Sequence, residues 1–129
     1  MSSAHGAAGV RAAMVALFLA GDGEGMLALL APDATFRSPV TEYRGRERVG
    51  AVITAVVEVV AHRDLTRVLE GAGATAAAFT ATVDGRPGEG VLMVVGGSDG
   101  SVSEVTLMVR PLRSLLAGIE RMKLLLGAG

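Results

Sequence analysis

The spacing of apolar residues changes once along this chain. In the first half they recur every three or four positions, and in the second half they alternate. Val10, Met14, Leu17 and Phe18 fall on one side of a helix over residues 7–20, which Gly21-Asp22-Gly23 ends. Residues 25–30 read as a short second helix with Pro32 just past its end. Thr35-Phe36-Arg37-Ser38 reads as a short strand stopped by Pro39. Residues 45–61 form the strongest helical pattern, with Val49, Val52, Ile53, Val56 and Val60 in one stripe and Glu47, Thr54 and Glu58 on other faces. Its β-branched residues lower its intrinsic propensity, so packing is expected to hold it. Beyond it, 64–70, 75–83, 86–95 and 101–110 read as strands. The connections at 71–74, 84–85 and 96–100 are rich in Gly and Asp, as hairpin turns require. Pro111 suits the first turn of a last helix, with Leu112, Leu115, Leu116, Ile119, Met122 and Leu126 on its apolar face. Helices, then an antiparallel meander, then a helix make an α+β pattern. There is no repeat or linker, so a single domain over residues 1–129 is expected, with a disordered segment at 1–6.

Composition narrows the function classes. Hydrophobic residues make up 50% and charged residues 19%, which excludes a disordered chain. A net charge of −1 and an aromatic set limited to Phe18, Phe36, Phe79 and Tyr43 leave nucleic acid without a footprint or a stacking platform. There is no cysteine, so thiolate chemistry and disulfides are excluded. His5 and His62 are too few for a histidine-rich metal site, and neither a metal nor a cofactor is expected. No apolar run reaches the length of a membrane span. Residues 14–20 behind Arg11 read as the first helix rather than a signal-peptide core, because no small-x-small site follows and Gly21-Asp22-Gly23 comes at once. A cytoplasmic location is expected.

Three local patterns have chemical readings. Gly71-Ala72-Gly73-Ala74-Thr75-Ala76 matches a relaxed dinucleotide fingerprint, but a strand follows it where a helix is needed, so it is read as a hairpin turn. Arg37, Arg44, Arg46 and Arg48 form a basic cluster that suits an anion or, more simply, a solvated rim balanced by Glu42 and Glu47. His62 and Asp64 read either as an acid–base pair or as a polar helix end.

The order Gly21-Asp22, Asp33-Ala34-Thr35, Ser38-Pro39, Tyr43-x-Gly45 and a final hairpin resembles the nuclear-transport-factor-two-like superfamily. That superfamily includes ketosteroid isomerases, limonene-epoxide hydrolases and SnoaL-like polyketide cyclases. The resemblance runs from about Val10 to Leu126. It implies a cystatin-like α+β barrel, a cone-shaped curved antiparallel sheet wrapped around helices with one deep pocket. It also implies where catalytic groups would stand. The isomerase base falls at Ser38, its tyrosine donor at Met14 and its protonated acid at Leu92. The last aspartate of the epoxide-hydrolase relay falls at Leu107. The isomerase mechanism needs a base and an oxyanion hole, so it is rejected for this chain.

The expected cavity is lined by Met14, Phe18, Phe36, Val56, Phe79, Leu92, Val94, Leu107 and Val109, with Ser38, Tyr43 and Arg110 as its polar candidates. Arg110 suits a ligand carboxylate or a strand-end ion pair in equal measure. Such a wall suits a hydrophobic metabolite of polyketide, terpenoid or steroid-like type. Catalytic residues are unassigned. A cyclase, isomerase or epoxide hydrolase, and a non-catalytic dimeric scaffold, are the alternatives. Residues 91–95 are apolar at every position, so both faces of that strand need cover. A homodimer through Val91, Met93, Val95 and Met108 is expected.

Overall fold

A computed structural model describes residues 6–127. Residues 1–5, most of the segment expected to be disordered and with it His5, lie outside the described residues. The elements are α1 (Ala7–Ala20), α2 (Gly23–Leu29), β1 (Leu30–Arg37), β2 (Glu42–Arg44), α3 (Arg46–Val59), β3 (Val60–Gly71), β4 (Ala74–Val83), β5 (Arg86–Gly96), β6 (Val102–Arg110) and α4 (Leu112–Leu126). Among the described residues no helix is long and apolar enough to cross a membrane.

The chain forms the expected α+β fold, a curved, non-closed sheet around helices. The strand order is β2-β1-β6-β5-β4-β3. β3 to β6 form the antiparallel meander that the alternation and the Gly/Asp turns predict. Phe36 of β1 stands beside Val105 of β6 in parallel register, so the sheet is mixed rather than wholly antiparallel. Parallel neighbours need a long crossover, and everything from β2 to β5 lies between these two strands. No local pattern signals such a pairing.

Besides α2, which runs over Gly23–Leu29 instead of 25–30, three differences from the sequence reading have a local reason. β1 begins at Leu30, before Pro32, and its register with β6 shifts between Leu30 and Thr35. The proline cannot donate to a ladder and sits inside that irregular stretch. α3 stops at Val59, not Ala61, and β3 starts at Val60. Two consecutive valines favour the extended chain there, and a shift between Ala61 and Asp64, with His62 at φ 52°, bends the new strand. β2, three residues long, has no period to detect. Gly45, at φ 95°, turns the chain from β2 into α3, a conformation that a side chain would strain.

Gly21-Asp22 serves two helices. Gly21 ends α1 in the left-handed conformation, and the Asp22 backbone N–H donates to Leu17 O at 2.9 Å. The Asp22 carboxylate then accepts from the Gly25 N–H at 2.9 Å and caps α2. α1 and α3 lie on the concave face. Phe18 meets Phe79 edge to face at 5.1 Å, and Met14, Phe36, Leu92, Val94 and Val105 are buried with them.

Candidate functional site

The concave face is filled at one end and hollow at the other. At the filled end Arg11 of α1 is a buried cation. Its guanidinium donates to Thr75 Oγ1 at 3.0 Å, Gly96 O at 2.8 Å and Glu70 Oε1 at 2.9 Å, tying α1 to three strands. Thr75 in turn donates to the second Glu70 oxygen. The Thr75 hydroxyl first, and the Arg11 guanidinium next, hold the Glu70 carboxyl below its ordinary pKa. This network was not read from the sequence, where Arg11 is one isolated charge in a helix.

At the other end a cavity of about 240 Å³ lies between the sheet, α3 and α4. Phe36 of β1, Tyr43 of β2 and Leu107 and Val109 of β6 form one wall. Val52, Val56 and Val59 of α3 form the second, and Leu115, Ile119, Met122, Lys123 and Leu126 of α4 the third. Val83 and Gly118 meet at its base, where a side-chain carbon on Gly118 would come within 2.7 Å of Val83 Cγ1. Among the described residues no carboxylate and no histidine lines the cavity.

The expected pocket residues therefore divide. Phe36, Ser38, Tyr43, Val56, Leu107 and Val109 come together around this cavity. Met14, Phe18, Phe79, Leu92 and Val94 are buried in the packed core instead. Arg110 alternates with Val109 onto the convex face, opposite Glu89 in the β5–β6 ladder, and pairs with that carboxylate. The α4 wall was missed as a site. Its apolar face was visible, but nothing local says that the face closes a hollow.

The polar groups at the cavity differ in what they have left to offer. The Ser38 hydroxyl donates to Thr41 O at 3.0 Å and accepts from the N–H groups of Val40 and Thr41, both at 3.1 Å. It is spent on closing the 38–41 turn. The Tyr43 ring stacks on Phe36 at 6.3 Å, and among the described residues its hydroxyl has no hydrogen-bond partner. Lys123 projects at the rim, 3.4 Å from Glu120, with both side chains largely exposed.

The other patterns have structural partners. Arg37 pairs with Glu104 at 3.4 Å and Arg44 with Glu42 at 3.7 Å, so half of the basic cluster is balanced locally. His62 Nδ1 lies 3.0 Å from Thr82 Oγ1 on the exposed sheet edge, while Arg63 donates to Val57 O at 2.9 Å and to Val60 O, capping the end of α3. Burial lowers the Arg63 pKa. Gly71 and Ala74 face each other across the β3–β4 hairpin, which is the turn reading of that glycine-rich stretch. Among the described residues no cluster of three His, Cys, Asp or Glu side chains could hold a metal.

Comparison with known proteins agrees with this fold. A family model described as a SnoaL-like domain matches residues 10–108. A steroid delta-isomerase from Pseudomonas aeruginosa is 32% identical, with a TM-score of 0.85 over 95% of this chain and 92% of that one. A bacterial protein with a cystatin-like fold from Silicibacter pomeroyi is 24% identical, with a TM-score of 0.84 over 92% of this chain and 86% of that one. A de novo designed protein with a curved β-sheet is 18% identical, with a TM-score of 0.73 over 96% and 99% of the two chains. The last two share the fold alone. No curated protein matches the chain.

Proposed function

The chain belongs to the SnoaL-like domain family, and on that footing we propose that it binds a hydrophobic small molecule in the cavity beneath α4. One observation carries this reading: a void of about 240 Å³ whose wall is apolar except for Ser38, Tyr43 and Lys123. Ligand sites commonly measure about 300–1,000 Å³. The volume therefore favours a polyketide or terpenoid body of modest size over a tetracyclic steroid skeleton. Tyr43 is the group that a ligand oxygen would meet, since its hydroxyl has no hydrogen-bond partner among the described residues and its ring is already stacked. Absence of cysteine fits action in the cytoplasm. Native mass spectrometry of the purified protein tests the proposal. It should retain a co-purifying apolar molecule, and Val56→Phe, which fills the cavity, should release it. Retention by the filled variant would contradict the reading.

Kinship with a protein described as a steroid delta-isomerase favours a second reading, catalysis on such a ligand. The positions that resemblance assigns to base, oxyanion donor and protonated acid hold Ser38, Met14 and Leu92. A positioned general base supplies a factor of about 10²–10⁴. Turnover of a Δ5-ketosteroid is therefore expected to stay at background, and measurable conversion would favour the enzyme.

The convex face supports a homodimer. Val91 stands opposite Met108 across β5 and β6, and Met93 opposite Thr106. Met108 is 61% exposed and Leu69 of β3, near Met93 on the same face, 63%. A second copy would cover this patch. Light scattering at micromolar protein should give twice the monomer mass, and a monomer mass would refute the dimer.

A further inference from the structure

We infer that the occupant of the cavity is an anionic amphiphile, an apolar body carrying one carboxylate, with that carboxylate held at the rim by Lys123. The inference rests on the proposed ligand site and adds the head-group chemistry. The inventory of the wall decides it. Ser38 has no free donor. What remains is the Tyr43 hydroxyl and the Lys123 ammonium; among the described residues no carboxylate lines the cavity, and the acid paired with Lys123 is the exposed Glu120, 3.4 Å away and outside the lining. A neutral ligand would leave the ammonium indifferent. A cationic one would be repelled by it, and the exposed Glu120, already paired with Lys123 and outside the lining, offsets that repulsion only in part. An acid gains a charge-assisted hydrogen bond.

Position makes that gain accessible. Lys123 stands within a turn of the end of α4, and its side chain is 60% exposed while its Glu120 neighbour is 76% exposed. A pair so exposed is weak, so the ammonium can exchange Glu120 for a ligand acid at little cost. The apolar body enters the valine- and leucine-lined hollow while the head group stays in water, avoiding the desolvation that burying a carboxylate would demand.

The test uses decanoate, 1-decanol and decylammonium, titrated by calorimetry at about pH 7.5, where a carboxylic acid is ionised. Decanoate should bind about three- to tenfold tighter than decanol, and decylammonium weakest. Lys123→Gln should make acid and alcohol equal. Glu120→Gln, which removes the competitor, should tighten decanoate alone. Equal binding of acid and alcohol to the wild-type protein, a preference that survives Lys123→Gln, or no gain in Glu120→Gln would overturn the inference while leaving the cavity as a ligand site. Failure of all three probes to bind would overturn both.

Discussion

α1 and α4 both close the same curved sheet, and they do it differently. α1 buries Arg11, Met14, Val15 and Phe18 and is tied to three strands by one guanidinium. α4 buries only Ser114 and Gly118. Its ties are the Ser114 hydroxyl donating to Pro87 O at 2.6 Å and an exposed Arg121–Glu58 pair at 3.9 Å. Leu112 and Leu116, on its expected apolar face, are 66% and 53% exposed. Side-chain length explains the contrast. Met14, Phe18, Phe79 and Leu92 reach across the filled end. Under α4, Phe36, Tyr43 and Leu107 stand on one wall, but α3 and the rest of the sheet present Val52, Val56, Val59, Val83 and Val109, whose short side chains leave the middle open. The hollow lies where those short branched side chains face a lightly anchored helix.

The largest expected effect tests that contrast directly. Phe79→Ala at the filled end should cost about 3–5 kcal/mol in urea unfolding. Met122→Ala, whose side chain already borders open space, should cost less than about 1.5 kcal/mol, because no new cavity is created. Similar losses would erase the distinction between the two ends.

A smaller effect concerns acid. The Glu70 carboxyl has a lowered pKa in the folded state, with Thr75 and then Arg11 as the main causes. Its contribution is therefore fully present above the ordinary glutamate value of about 4.3 and is lost as pH falls through the lowered folded value. Asp99, held low by Ser101 in the turn before β6, acts in the same direction. Wild-type urea midpoints should drop between about pH 6 and about pH 3 by more than those of Glu70→Gln. Parallel pH dependence would remove Glu70 from the clamp.

The smallest effect is at the rim. Tyr43→Phe should leave the melting temperature unchanged, since the hydroxyl has no hydrogen-bond partner among the described residues, and should weaken a hydrogen-bonding ligand by about 0.5–1.5 kcal/mol. Unchanged affinity would leave Tyr43 a packing residue on Phe36.

Legibility in the sequence follows the range of the interactions. Local signals were read well: α1 ends where the glycine places it, and β4 and β5 lie within a residue of their alternating segments. The β1–β6 parallel pair was hidden because its partners are almost seventy residues apart and no turn joins them. The site was half legible for the same reason. Alternation tells which residues face inward, so Phe36, Leu107 and Val109 were correctly placed on the concave face. It does not tell which inward residues touch one another and which border a void, so Phe79 and Leu92 looked like pocket wall although they are packed core. Arg110 shows the limit differently. Its alternation with Val109 already sets it on the outer face, and position at a strand end outweighed that signal.

The central claim is that the hollow under α4 is a ligand site and the end under α1 is not. Titration of the neutral apolar fluorophore N-phenyl-1-naphthylamine into wild-type, Val56→Phe and Val94→Phe proteins measures this most directly. Val56 borders the cavity and Val94 is wholly buried in the core. The wild-type protein should bind the probe saturably. Val56→Phe should lose at least about tenfold in affinity at little cost in stability, because the added ring fills existing space. Val94→Phe should lose about 1–3 kcal/mol of stability to overpacking and, at a temperature where it stays folded, keep its affinity. Undiminished binding by Val56→Phe, or no binding by the wild-type protein, would contradict the account.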